Sequence, residues 1–596
     1  MYRHLLFLIF ISFAPLCVFA INQVRISTQK AFESIVRQIN LGKEQNIILS
    51  SGTYFLNQPI NAKNKLCITG NNATIMMKGE TYSPLEAVRV TNSHYVYKLK
   101  SAILPYSLFV TRDHKIVDVS ESVDNHSKVN VISEDIIGPV EQYIGMELKI
   151  PLAKNLSHLA NRKMSNTYGY FDCGWSKIDF IVDRIDHSYI YCKSLNKTNV
   201  KDINYEKTHY RDRIRYVLYN AEMKFDEIFY DNDYLYVPNN VGEIRYIPCA
   251  LYNKSKPSIT CSSDVVLDGI HFSEFNGIRI SATSNSKCII QNCIFENTLG
   301  AVLTVKKKNT TDAEPVIIKD CRFMNCAIQK DLVISLSSDC IDHPCFFMDG
   351  CTLSRYPDAK VGYKNCNGVV KVNGDAIISN NTIYNTCRDH LFFSKGCSVA
   401  RGNILYNTSE FNSHIHRNLS NDWGAIYCGH FTKDPHAAAQ NKINILLLEG
   451  NYIHDIYGHV KDARGIMIDN GRGDVICRGN LILNTQSYTL DSRDARRTIV
   501  TSSIRNVFEN NVLGGRYRMA GGIGLQHKDY PISSANVVMG EYQTVINERI
   551  RKKEKDVVYP MPIKEVKSTY IIVSSKAYNK LAKLPGWNYI KRFVRT

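Results

Sequence analysis

The sequence predicts an all-β chain wound as a right-handed parallel β-helix, with an N-terminal helical cap and an inserted antiparallel β module. Two observations carry this. From Asp264 onward one short phrase returns, a small or polar pair, a variable residue and an apolar one: Asn292-Cys293-Ile294-Phe295, Asp320-Cys321-Arg322-Phe323, Gly350-Cys351-Thr352-Leu353, Asn380-Asn381-Thr382-Ile383, Gly402-Asn403-Ile404-Leu405, Gly450-Asn451-Tyr452-Ile453, Gly479-Asn480-Leu481-Ile482 and Asn510-Asn511-Val512-Leu513. Measured from Ile270, in the first copy Gly269-Ile270-His271-Phe272, to Asn511, successive copies lie 23, 28, 30, 30, 22, 48, 29 and 31 residues apart. One coil of three short strands and three turns needs about 20–30 residues. The spacing of 48 marks a long loop between Asn403 and Asn451.

Taken in order, Met1 to Ala20 has a basic start at Arg3, an apolar run from Leu5 to Leu16 and a small-residue exit at Val18-Phe19-Ala20. This is the pattern of a secretory signal peptide, too short in its apolar run for the roughly 20 residues of a membrane span. Cys17 follows the bulky Leu16, which fits a lipoprotein signal poorly. The expected location is periplasmic, cell-surface or extracellular, with no transmembrane segment.

Residues 21–91 are expected to hold the cap and the first coils. Ser27 to Gln38 has the spacing of an amphipathic helix, with Phe32, Ile35 and Val36 on one face and Ser27 or Thr28 as its cap. Such a helix would plug the open end of the coil stack, whose bare strand edge would otherwise invite aggregation. Short strands separated by Gly52-Thr53-Tyr54 and Gly70-Asn71 follow. Across 92–248 the strands lengthen and alternate, and tyrosines become dense, as at Tyr216, Tyr219, Tyr230, Tyr234 and Tyr236. This is the inserted module, its aromatics expected mainly in strand packing and secondarily as platforms for sugar rings. The main helix is expected over 249–538, with the coils ending near Met539 and a basic tail over 539–596, helical from Val545 to Lys555, packed on or capping the stack.

The column Cys293, Cys321, Cys351, Asn381, Asn403, Asn451, Asn480, Asn511 places small residues at one inward site in successive coils. Its amides are expected to form a ladder from coil to coil, and its thiols to stay free. The chain has 18 cysteines, with no paired spacing that suits zinc. Its formal net charge is +17, which suits a polyanionic partner such as an acidic polysaccharide, or is simply a solvated basic surface. Behind an export signal nucleic acid is not the expected partner, and oligomeric state is open.

Coils about 4.8 Å apart bring equivalent side chains together, so carboxylates on neighbouring coils fall within the 5–9.5 Å that glycoside hydrolysis uses. Aligning Leu391-Phe392-Phe393, Ala425-Ile426-Tyr427, Ile466-Met467-Ile468 and Tyr488-Thr489-Leu490 puts Ser394, Cys428, Asp469 and Asp491 in one row. Asp469 and Asp491 would then stack, and Asp422 would lie near Asp462. Asp434 and His430 follow Tyr427 in the loop, with Trp423, Tyr427, Arg388, His390, Arg464 and Asn470 near the same face. The candidate catalytic residues are therefore Asp469, Asp422, Asp491 and Asp434, and the candidate substrate-binding residues Trp423, Tyr427, His430, Arg388, His390, Arg464 and Asn470. Asp469-Asn470-Gly471 is also ordinary turn chemistry.

The run Asp422-Trp423-Gly424-Ala425-Ile426-Tyr427, then Gly450-Asn451-Tyr452-Ile453-His454-Asp455-Ile456, then Gly465-Ile466-Met467-Ile468-Asp469-Asn470-Gly471 resembles the β-helix enzymes of glycoside hydrolase family 141, in the pectin-lyase-like superfamily. The likeness extends over residues 45 to 530. It implies hydrolysis of a glycosidic bond in a complex plant-type polysaccharide, with Asp422 and Asp469 as the matching acids and Asn470 where relatives often carry a second one. Two other classes stay open. One is a polysaccharide lyase acting on a uronate polymer, with Arg388, Arg464 or Arg472 neutralising charge and Ca2+ as a possible cofactor. The other is a non-catalytic glycan-binding surface protein. For a hydrolase no metal or cofactor is expected.

Overall fold

The computed structural model describes residues 23–104, 107–117, 141–142, 147–152, 154–162, 164, 166–172, 177–195, 215–248, 257–283, 285–298, 300–308, 314–326, 333–338, 344–354, 369–386, 389–408, 423–429, 445–457, 463–468, 475–492, 506–515, 517–520, 532–539, 545–548, 551–552, 557–559 and 563–596. Three parallel ladders run the length of the stack, so each coil contributes one strand to each ladder. The first ladder begins at Val24–Ile26, paired with Gln45–Leu49, and ends at Arg551–Lys552, the second begins at Gly52–Leu56 and ends at Val557–Tyr559, and the third begins at Ile60–Ala62 and ends at Val545–Glu548.

Strand alternation sends every second side chain inward, and parallel register then stacks like on like. In the first ladder Ile68, Leu267, Ile290, Ile318, Met348, Ile378, Ala400, Leu448, Cys477 and Phe508 oppose one another in succession. All ten are buried in one continuous core. Phe272, Phe295 and Phe323 form the matching column in the second ladder, with centroids 5.1 and 5.0 Å apart and planes within 8°.

The recurring phrase is the turn between the first and second ladders. Its leading residue sits in the left-handed region, at φ 52° for Asn292, 51° for Asp320, 54° for Asn380 and 58° for Gly450, a conformation that Gly, Asn and Asp tolerate best. The following residue points inward. From Asn381 these form the expected amide ladder: Asn381 Nδ2 donates to Asn403 Oδ1 at 3.0 Å, Asn403 to Asn451 at 3.0 Å, Asn451 to Asn480 at 2.9 Å, Asn480 to Asn511 at 3.0 Å and Asn511 to Asn536 at 2.9 Å. The second amide hydrogen goes to a backbone carbonyl, as Asn451 to Ala400 at 3.0 Å, and each Oδ1 also accepts a backbone N–H, as Asn403 to Asn451 at 3.0 Å. Both donors and both acceptor positions of a buried amide are thus used. Cys293, Cys321 and Cys351 occupy the same column upstream as buried free thiols.

At the N-terminus, α1 (Gln29–Asn40) is capped by Thr28, whose side chain accepts from Ala31 N at 3.3 Å, and buries Phe32, Ile35, Val36 and Ile39 over the end of the core. The inserted module is antiparallel. Its pairing starts at Glu80–Tyr82 and closes at Ile244–Ile247, and the coils on either side of it are direct neighbours, Leu66–Met77 against Val265–Ser273. Tyr216, Tyr219 and Tyr230 are buried in its cores, whereas Tyr234 is exposed.

The coils do not stop at Met539, as the sequence suggested. Val537–Met539 pairs in parallel with Val557–Tyr559, and Tyr517–Ala520 with Val545–Glu548, so the stretch expected to be helical supplies strands. The last segment, 563–596, folds back over the outer face of the second ladder. Ile571, Val573, Leu581, Ile590, Phe593 and Val594 pack against Tyr452, Leu481, Leu483 and Val512. Among the described residues no helix is long and apolar enough to cross a membrane.

Candidate functional site

Four neighbouring strands of the third ladder, Leu391–Lys395, Trp423–Cys428, Ala463–Ile468 and Leu490–Ser492, carry the candidate site. Their interior column is Leu391, Ile426, Ile466 and Leu490. The next position faces outward and forms a second row, Lys371, Phe392, Tyr427, Met467 and Asp491. Phe392 and Tyr427 meet edge to face at 5.3 Å and 74°, and Lys371 Nζ lies 5.0 Å from the Phe392 ring centroid. Phe392, Tyr427 and Met467 form a buried apolar patch outside the main core.

This register differs from the sequence alignment by one residue for Trp423–Cys428 and by two for Leu490–Ser492. Leu391 faces Ile426 rather than Ala425, and Asp491 faces Met467, two positions before Asp469. The one-residue shift comes from a local break in alternation. Ala425 and Ile426 both belong to the interior core. In the neighbouring strand Gly465 also points inward, because a Cβ there would lie 2.4 Å from both Ile482 Cγ2 and Thr489 O. The extra inward residue turns Arg464 to the outer row.

Arg464 and Asp491 are fully buried and paired, with Arg464 Nε donating to Asp491 Oδ2 at 2.6 Å and Arg464 Nη1 reaching Met467 Sδ at 3.6 Å. Each charge costs several kcal/mol to desolvate alone, and the pair makes burial tolerable. Asp491 therefore offers no open carboxylate, and the expected stacking on Asp469 falls on a residue outside the described ones. His390 is also buried. Its Nε2 lies 3.0 Å from Tyr406 O, and its Nδ1 has no partner among the described residues. Burial, chiefly, lowers its pKa to about 4, so it is a neutral wall residue between the second and third ladders at neutral pH. Tyr427 is buried beneath Phe392, and the backbone of Trp423 opens its strand opposite Ala463.

Asp469, Asp422, Asp434, His430, Arg388 and Asn470 lie outside the described residues. In sequence Asp422 immediately precedes the strand Trp423–Cys428, and Asp469 immediately follows Ala463–Ile468. Sequence reasoning passed over Asp389, which is buried and whose Oδ1 accepts from Gly424 N at 3.2 Å, tying one coil to the next just where alternation breaks. Its position beside His390 was the available signal.

No protein-family model matches the chain. No curated protein matches it either. Among solved structures it is similar to one titled "Glycoside hydrolase" (11% identity, 82% of this chain and 96% of that one, TM-score 0.49). It is also similar to a complex of XylC with xylose (12% identity, 92% and 77%, TM-score 0.26). A third is the tailspike protein gp49 of Pseudomonas phage LKA1 (12% identity, 82% and 76%, TM-score 0.23). The β-helix assignment rests on the strand register itself.

Proposed function

We propose that this protein is an exported enzyme that hydrolyses glycosidic bonds in an acidic polysaccharide, at the outer face of the third ladder. One observation carries the reading. The register brings strands whose flanking residues are acids, Trp423–Cys428 after Asp422 and Ala463–Ile468 before Asp469, side by side on a face braced by the buried Arg464–Asp491 pair. A fixed wall beneath substrate-facing groups is what precise positioning requires.

Glycoside hydrolysis needs two carboxylates about 5–5.5 Å or 6.5–9.5 Å apart. A strand of six residues spans about 20 Å, so acids at opposite ends of these strands do not make such a pair along the extended backbone. Asp469 and Asp434 both follow the carboxyl ends of adjacent strands. In this proposal Asp469 is nucleophile or base, and Asp434 is the general acid in preference to Asp422. Asp422, His430, Asn470 and Trp423 hold the sugar, while Asp491 and Arg464 position the strands. The lyase reading loses one of its charge-neutralising cations, because Arg464 is committed to Asp491.

The test is turnover on a panel of acidic and neutral glycans. Reducing ends released without an unsaturated uronate support hydrolysis. An ultraviolet-absorbing unsaturated product indicates a lyase, and binding without turnover indicates a glycan-binding protein.

A further inference from the structure

We propose that the cleft between the N-terminal coils and the inserted module is a second binding site, taking an acidic sugar residue that carries a carboxylate or a sulfate. The cleft has a volume of about 390 Å³ and is lined by Phe55, Asn57, Lys78, Arg112, His114 and Glu243 among others. That size lies within the range of small-molecule sites, about 300–1,000 Å³.

The walls are fixed by contacts that join the two parts of the chain. Glu274 is fully buried at the turn after Val265–Ser273, with φ 50°. It forms an ion pair with Arg245 of the module and accepts from His114 Nδ1 at 2.8 Å when that nitrogen carries the proton. On the other side Gln29 of α1 clamps the backbone of Phe55, donating to Phe55 O at 2.8 Å and accepting from Phe55 N at 2.8 Å. The half-buried Phe55 ring has the Arg245 guanidinium 5.7 Å from its centroid. Glu33 is held by the amides of Gln29, at 2.9 Å, and Asn57.

Lys78 and Arg112 are different. Both are exposed in the cleft, and neither side chain makes a hydrogen bond or ion pair among the described residues. Beside the Gln29 hydrogen bond that chiefly lowers the Glu33 carboxyl, Lys78 acts on it only through space, so two cations without a hydrogen-bonded partner remain to suit one anionic group. The carboxylates of Glu33 and Glu243 disfavour a bare polyanion but accept hydroxyl hydrogens, and an aromatic face suits the C–H face of a sugar ring. A charged, hydroxylated ring meets all three demands together. The site is independent of the third-ladder reading.

The experiment is isothermal titration of the full chain carrying Asp469→Asn, with a galacturonate oligosaccharide, a sulfated oligosaccharide, a neutral glucan oligosaccharide and inorganic sulfate as probes. Binding of either acidic oligosaccharide is expected, weakened by about tenfold or more in Lys78→Ala/Arg112→Ala with the unfolding temperature unchanged, and weakened also in Phe55→Leu. Equal affinity in the double variant would overturn the proposal. So would neutral glucan binding as tightly, sulfate ion binding as tightly as the sulfated sugar, or no binding of any probe. Loss of turnover in the third ladder leaves this result unaffected, so the two readings fail separately.

Discussion

Arg464 Nε donates to Asp491 Oδ2 at 2.6 Å, and neither side chain has any solvent exposure. Removing one partner leaves the other charged and buried. Asp491→Ala should therefore lower the unfolding free energy by about 3–5 kcal/mol, while Arg464→Met/Asp491→Leu recovers most of the loss. Urea unfolding of the three proteins measures this. A double variant as unstable as the single one would show that the pair itself, rather than an orphaned charge, supplies the stability.

Asn451 sits mid-column, bonded to Asn403, Asn480 and Ala400. Asn451→Ala removes one rung and leaves its neighbours short of partners, at a cost of about 2–4 kcal/mol. Asn451→Asp is expected to do at least as much damage, because a carboxylate cannot donate to Asn480 Oδ1. Denaturant midpoints decide it, and a near-neutral Asn451→Asp would argue against the ladder.

His390 makes stability depend on pH. Its pKa falls from 6.5 in the unfolded chain to about 4 in the fold. Between these values the unfolded chain takes up a proton that the folded one refuses. The contribution is fully present above pH 6.5 and is lost as pH falls toward 4, a change on the order of 3 kcal/mol. His390→Gln should flatten that part of the stability profile. An unchanged slope would place the acid sensitivity elsewhere.

The cysteine column is expected to be inert. The neighbouring Cys321 thiol, and then burial, push the Cys293 thiol well up, and burial does the same for Cys477. Since the thiolate is the reactive form, mass spectrometry after alkylation of the native protein should find these unmodified, with full labelling after denaturation. Fast native labelling of Cys293 would contradict the packing.

Much of the fold was legible because a coil repeats. The small residue at Cys293 through Asn511 and the left-handed turn residue before it recur under the same steric demand, so each copy announces itself. The register of the third ladder was not legible. Ala425 and Gly465 are small enough to face inward beside Ile426 and Ile466, and nothing in their types marks the broken alternation. A separate shift of two residues in Leu490–Ser492 moved Asp491 from a supposed catalytic row to a buried ion pair. The strand Val545–Glu548 was hidden by its basic surroundings, and the N-terminal cleft by the sequence distance between Phe55 and Arg245.

The central claim is that the outer face of the third ladder cleaves glycosidic bonds with Asp469 in the reacting pair. The direct measurement is release of reducing ends from acidic polysaccharides by the wild-type protein beside Asp469→Asn. The account predicts turnover in the wild type, a loss of about 100-fold or more in the variant, and no unsaturated product. Undiminished turnover in a folded Asp469→Asn protein, or an unsaturated product from the wild type, would contradict it.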